Sequence, residues 1–138
     1  MAINQTQTTS FKAELYQGVH DLLNDTLKLA LYTGNANINA GTTAYSSLNE
    51  VVAAGYVVGG NTLTGVTLNT DEFTAYVNFD NTSWSAALTT RCALIYNASK
   101  GNKSIAVLDF GADKTSTTTF LITMPANTPT SALIRSSN

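Results

Sequence analysis

Cys92-Ala-Leu-Ile-Tyr96 and Ile105-Ala-Val-Leu-Asp-Phe110, separated by the polar segment Asn97-Ala-Ser-Lys-Gly-Asn-Lys-Ser104, decide the fold class. Each apolar run has the length of a strand, is rich in β-branched and aromatic residues, and is bounded by Asn, Ser and Gly. Gly101 and Asn102 tolerate positive φ, so Thr90 to Phe110 reads as a β-hairpin. Apolar side chains occupy both faces of each run. Such strands are covered on both sides and sit at the centre of a fold.

Outward from this hairpin the same signals recur. Thr26 to Thr33 places Leu27, Leu29 and Leu31 on one face and Lys28 on the other, a strand with one wetter side. Phe73, Ala75, Val77 and Phe79 alternate with Thr74, Tyr76 and Asn78, which puts the first set in the core. Leu63 to Leu68 is a weaker strand, and Phe120 to Met124 is a strong one closed by Pro125. Val51-Val52 and Tyr56-Val57-Val58 flank Ala53-Ala-Gly55, with Gly59-Gly60 as a turn. Leu133-Ile134 is an apolar tail suited to an edge strand or to docking on a neighbour. The expected fold is therefore all-β: a β-sandwich or jelly roll of seven or eight strands over residues 10–138, a single domain.

One helix is expected at the N-terminal end. Ser10 is a suitable cap, and Phe11, Leu15, Val19, Leu22 and Leu23 form a stripe destined for the core, which Gly18 weakens. Residues 1–9 are polar and simple in composition, the character of a flexible arm. Gly34 to Asn49 is long for a connection and so is a candidate contact surface, pinned by Tyr45 and Leu48.

Composition narrows the function classes. The 138 residues are 43% hydrophobic but only 12% charged, about half the usual share, and Thr, Asn and Ser fill the gap. An uncharged polar surface loses little on desolvation and suits protein contact. A net charge of -2, with seven scattered Lys and Arg, argues against nucleic acid, whose phosphates require a clustered basic footprint. Lys100 and Lys103 share a loop tip that reads as a solvated turn. The single Cys92 excludes an internal disulfide framework and any cysteine zinc site, and its apolar context makes it a buried thiol. No apolar run approaches the roughly 18 residues of a membrane helix, and the first residues lack a secretion signal, so synthesis in a cytoplasm is expected.

Catalytic tools are few. His20, the only histidine, falls on the expected helix with Asp21 off its face. Asp109 with Asp113, and Asp71 with Glu72, bracket or crown turns, where Asp ordinarily serves the turn itself; as a calcium site or a glycosidase pair they lack ligand density. The expectation is no enzyme, no catalytic residue, no cofactor and no metal.

Phe11-Lys-Ala-Glu-Leu-Tyr-Gln-Gly18, Leu27-Lys-Leu-Ala-Leu-Tyr-Thr-Gly34, Asn49-Glu-Val51 with Gly55-Tyr56 and Gly59-Gly60, and Arg91-Cys-Ala-Leu-Ile-Tyr96 with Val107-Leu-Asp-Phe-Gly111 together span nearly the whole chain. Read together, they resemble small structural proteins of tailed-bacteriophage virions. The resemblance implies a capsid decoration, or cement, protein on the virion surface, bound to the major capsid protein and to copies of itself as a homo-oligomer. The N-terminal arm, the Gly34 to Asn49 loop and the Leu133-Ile134 tail are then the expected contact elements. The alternatives are a tail, baseplate or head-to-tail component, and a carbohydrate-binding or host-recognition module with Trp84, Tyr45 and Tyr76 on one open face.

Overall fold

A computed structural model describes residues 4–137. In chain order its elements are β1 (Asn4–Gln7), α1 (Thr9–Tyr16), β2 (Leu27–Tyr32), β3 (Asn61–Thr62), β4 (Thr67–Thr70), β5 (Thr74–Asn78), β6 (Thr82–Trp84), β7 (Thr89–Asn97), β8 (Lys103–Thr115), β9 (Phe120–Ile122) and β10 (Ile134–Ser137). All pairings between strands are antiparallel, in a five-stranded sheet ordered β1-β8-β7-β2-β3, a three-stranded sheet ordered β10-β5-β4 and the pair β6-β9. The fold is all-β and sandwich-like, with one short helix.

The β7-β8 hairpin lies at the centre of the large sheet, as its two apolar faces require. Gly101 and Asn102, at φ 66° and 59°, complete the turn after a 3-10 segment at Ala98–Lys100. Leu27, Leu29, Leu31, Ala93, Ile95, Leu108 and Phe110 face the main core, where Val77, Phe79, Trp84, Phe120, Ile122 and Leu133 from the smaller sheets and their connections meet them. Between the Ile95–Ala106 and Tyr96–Ser104 pairs the register shifts by one residue. Ile105 is the extra residue, which is why it and Ala106 both enter the same core.

The other face of the large sheet is also dry. Ala30, Tyr32, Cys92, Leu94, Tyr96 and Val107 form a second cluster, covered by Ala36, Ile38 and Tyr45. The wetter side expected for β2 is therefore absent apart from half-buried Lys28. The Gly34 to Asn49 segment is the lid of this face, and its main chain is tied down by Thr9 N–H to the Ala40 carbonyl, Tyr45 N–H to Asn102 and Ser104 N–H to Thr43. Tyr45 pins it by stacking on Tyr96 with ring centroids 4.5 Å apart, whereas Leu48 points outward and pins nothing.

The outer edge of β2 is completed by an irregular strap. Thr33 N–H bonds the Asn49 carbonyl, Val51 N–H the Leu31 carbonyl, and Leu63 N–H the Leu27 carbonyl. Where β3 stops short, the Tyr56 hydroxyl accepts from Leu31 N–H at 2.9 Å, doing for that donor what a neighbouring strand would do.

Four expectations at the N-terminal end are corrected. Helix α1 is capped by Thr8, whose hydroxyl accepts from Phe11 N–H, rather than by Ser10, and it ends at Tyr16. Gly18 at φ 70° terminates the helix instead of merely weakening it, since a left-handed residue just past the last turn collects the final carbonyls. Only Phe11 of the stripe is fully buried; Leu15 and Leu23 are exposed. The stretch 1–9 read as a flexible arm includes β1, whose four residues pair with Ala106 to Asp109; residues 1–3 lie outside the described residues. At the other end, Leu133 and Ile134 are buried in the protein's own core and lead into the edge strand β10. Among the described residues ten strands form where seven or eight were expected: β1, β3 and β6 arise where no strand was expected, and of Leu63 to Leu68 only Thr67 and Leu68 lie in a strand, β4.

Candidate interaction surface

Among the polar groups, a buried carboxylate comes first. Glu50 is enclosed between the lid and the strap, and its Oε1 accepts from the Tyr45 hydroxyl at 2.5 Å. Its Oε2 accepts from the Tyr56 hydroxyl at 2.5 Å and from Gly59 N–H at 2.8 Å. The Tyr96 hydroxyl donates to the Gly59 carbonyl and the Tyr32 hydroxyl to the Ser46 carbonyl. Burial, with the Glu50 charge adding to it, pushes all four phenols upward: Tyr96 to about 12, and Tyr32, Tyr45 and Tyr56 further. A carboxylate holding three donors in a dry site acts as a clasp that fixes both connections to the sheet. Sequence reasoning gave Glu50 no role of its own. The available signal was one acid in an apolar stretch with no basic neighbour, followed by Tyr56 and three glycines.

A second polar network surrounds His20. Its side chain is fully enclosed, and it lies beyond the end of α1 rather than on it. Asn97 donates one amide hydrogen to His20 Nδ1 at 3.0 Å and the other to Asp25 at 2.7 Å, while its carbonyl oxygen accepts from Ser99 N–H. With both amide hydrogens so placed, Nδ1 accepts and Nε2–H donates to Glu14 at 2.8 Å. Burial tends to raise the Asp25 carboxyl, but bonds from Asn97, the Asp21 main chain and Lys100 outweigh it and hold it at about 2. Both ring nitrogens are thus occupied in tying the end of α1 to the central hairpin.

The remaining candidates from the sequence do not converge. Lys100 pairs with Asp25 at 2.9 Å. Asp71 accepts from Phe73 and Thr74 N–H and so closes its own turn; Asp109 accepts from Gly111 N–H and faces Arg91 at 3.6 Å, but the turn expected between Asp109 and Asp113 is instead a continuation of β8, where the ladder to β7 is broken between Thr90 and Cys92. Among the described residues no three His, Cys, Asp or Glu side chains gather as metal ligands. Trp84, 4% exposed, lies in the main core between Tyr56 and Phe120, while Tyr45 covers the opposite face of the large sheet. The single open aromatic face needed for sugar stacking is therefore not formed by Trp84, Tyr45 and Tyr76.

What the surface does carry is apolar. Tyr16 is 94% exposed, Val52 91%, and Leu48, Val57 and Phe73 about three-quarters; Phe73 and Ala75, expected in the core from their alternation, are exposed because β5 enters the core only from Val77 onward. Leu15, Leu23 and Leu68 rim a groove of about 310 Å³ floored by Phe11, Val77 and Ile134. Comparison with family models, with curated proteins and with solved structures finds no match to this chain.

Proposed function

We propose that this chain is a non-enzymatic structural component of a phage virion: a capsid decoration protein that binds the major capsid protein and copies of itself and stabilises the shell. The observation that carries the reading is the pairing of a central sheet packed on both faces with a charge-poor surface bearing exposed Tyr16, Leu48, Val52 and Phe73. Burying one such side chain contributes about 1.5–3 kcal/mol, and uncharged neighbours add little desolvation penalty. Many copies on one particle multiply weak single contacts into firm attachment. The sequence resemblance to tailed-phage structural proteins, which spans nearly the whole chain, supplies the setting.

The test is the copy number of the protein in gradient-purified virions of the phage that encodes it, measured by quantitative mass spectrometry against the major capsid protein. A ratio near one, or a simple fraction of it, is expected. A few copies per particle would transfer the protein to the tail or head-to-tail junction, and absence from particles would overturn the proposal.

A further inference from the structure

Strand β4 is an edge, lying outermost in the order β10-β5-β4, and all four of its residues are exposed. The Asp71 N–H bonds the Thr74 carbonyl at the hairpin end. Because hydrogen-bonded pairs alternate along an antiparallel ladder, Asn69–Tyr76 and Thr67–Asn78 are also bonded pairs, and the main-chain groups of Leu68 and Thr70 point away from β5. Among the described residues nothing bonds those groups from the open side. Thr67-Leu68-Asn69-Thr70 contains no charge, proline or bulge, the devices that ordinarily blunt an edge. The opposite edge, β10, differs: its Arg135 carbonyl accepts from the Gln7 side chain.

We propose that two copies of this chain associate through β4, antiparallel about a two-fold axis at Asn69, joining two three-stranded sheets into one of six strands. The register follows from the edge. Centred on Asn69, Leu68 lies opposite Thr70 of the second copy and Thr70 opposite its Leu68, so every outward donor and acceptor within β4 finds a partner. A register centred nearer the N-terminal end would need Val66, which lies past the point where the ladder slips from Thr67–Asn78 to Thr64–Asp80. One centred on Asp71 would set two carboxylates face to face. In the Asn69 register the acids sit at opposite ends of the joint. Leu68 shares the face of its cross-strand partner Val77 and rims the apolar groove, so pairing brings the two grooves together across the axis. A joint this short buries less than a standard interface, so it is weak for two free molecules and gains strength where copies are held side by side.

The inference deepens the proposed self-association but is tested apart from the virion. The full chain is followed by sedimentation velocity up to millimolar concentration, with Asn69→Lys, Asn69→Cys and Thr67→Cys compared by circular dichroism to establish folding. Wild type is expected to show a concentration-dependent monomer–dimer equilibrium, and Asn69→Lys, which opposes two ammonium groups at the axis, to weaken it at least about tenfold. Asn69 and its copy form a non-bonded pair with Cα atoms about 4.5 Å apart, within disulfide reach, so oxidised Asn69→Cys should close to a covalent dimer. Thr67→Cys, on the same face but off the axis, should not. A wild type monomeric throughout, a dimer indifferent to Asn69→Lys, or equal cross-linking of the two cysteine variants would overturn the inference. A monomer present at shell stoichiometry would refute this joint alone, and a dimer absent from virions would refute the assigned function alone.

Discussion

Replacing Tyr56 by Phe tests the Glu50 clasp most directly, because one hydroxyl serves two buried partners. It donates to Glu50 Oε2 and accepts from the Leu31 N–H of the central sheet. Losing a hydrogen bond to a charged acceptor costs about 1.5–3 kcal/mol, and leaving a buried N–H without a partner costs about 1–3 kcal/mol. The two losses share one atom and do not simply add, so a destabilisation of about 3–5 kcal/mol is expected, a large part of the 5–15 kcal/mol typical of a domain. For a chain of this length that lowers Tm by about 10–17 °C. Tyr45→Phe removes a donor to Oε1 only, from a half-buried ring, and should cost about 1–2 kcal/mol. Glu50→Gln keeps an oxygen for Tyr56 and Gly59 while its amide turns to the Tyr45 hydroxyl, which rotates to accept; Glu50→Ala strands three donors and should be the most damaging of the four. Urea unfolding followed by circular dichroism measures each value, with the slope m unchanged. If Tyr56→Phe fell within about 1 kcal/mol of wild type, or cost no more than Tyr45→Phe, the clasp would not be a dry, fully engaged network and the reasoning would fail.

The Asp25 carboxyl, held at about 2 against an ordinary 3.8, contributes stability that is complete above the unfolded value and lost as pH falls through 3.8 toward 2; Asp25→Asn should flatten that acid limb in pH-dependent thermal melts, and an unchanged limb would contradict the pairing. At the alkaline end the raised phenols of Tyr32, Tyr45, Tyr56 and Tyr96 stay protonated in the fold while unfolded tyrosine ionises near its ordinary 10.0, so stability should fall above that pH with tyrosinate absorbance rising together with unfolding. Independent titration of these phenols in the folded state would count against their burial. Cys92, pushed up to about 11 by burial and by the Asp109 charge against the opposing effect of Arg91, should resist alkylation at neutral pH until denaturant is added. Trp84 should emit in the blue and ignore iodide in the folded protein, and ready quenching would return it to the surface.

The sequence by itself determined the all-β class, the central hairpin and its turn, the burial of Cys92, and the turn-closing use of Asp71. Each of these rests on local physics: period-two alternation, continuous apolar runs, residues that tolerate positive φ, and side chains that close their own turns. Only the tertiary structure decided what covers the hairpin's second face, because nothing local distinguishes a solvated Asn- and Gly-rich loop from one held down by main-chain bonds to Asn102 and Ser104. The same holds for Glu50: its partners Tyr45, Tyr56 and Gly59 lie within nine residues of it, but no periodic pattern aims two connections at one carboxylate. Helix α1 stops early because Gly18 offers a left-handed exit while Phe11 alone finds room against β8, a competition between propensity and packing that periodicity does not weigh. The open edge of β4, finally, depends on strand order: alternation marks a strand, but which strand has a neighbour on each side is settled by pairings between residues far apart in the chain.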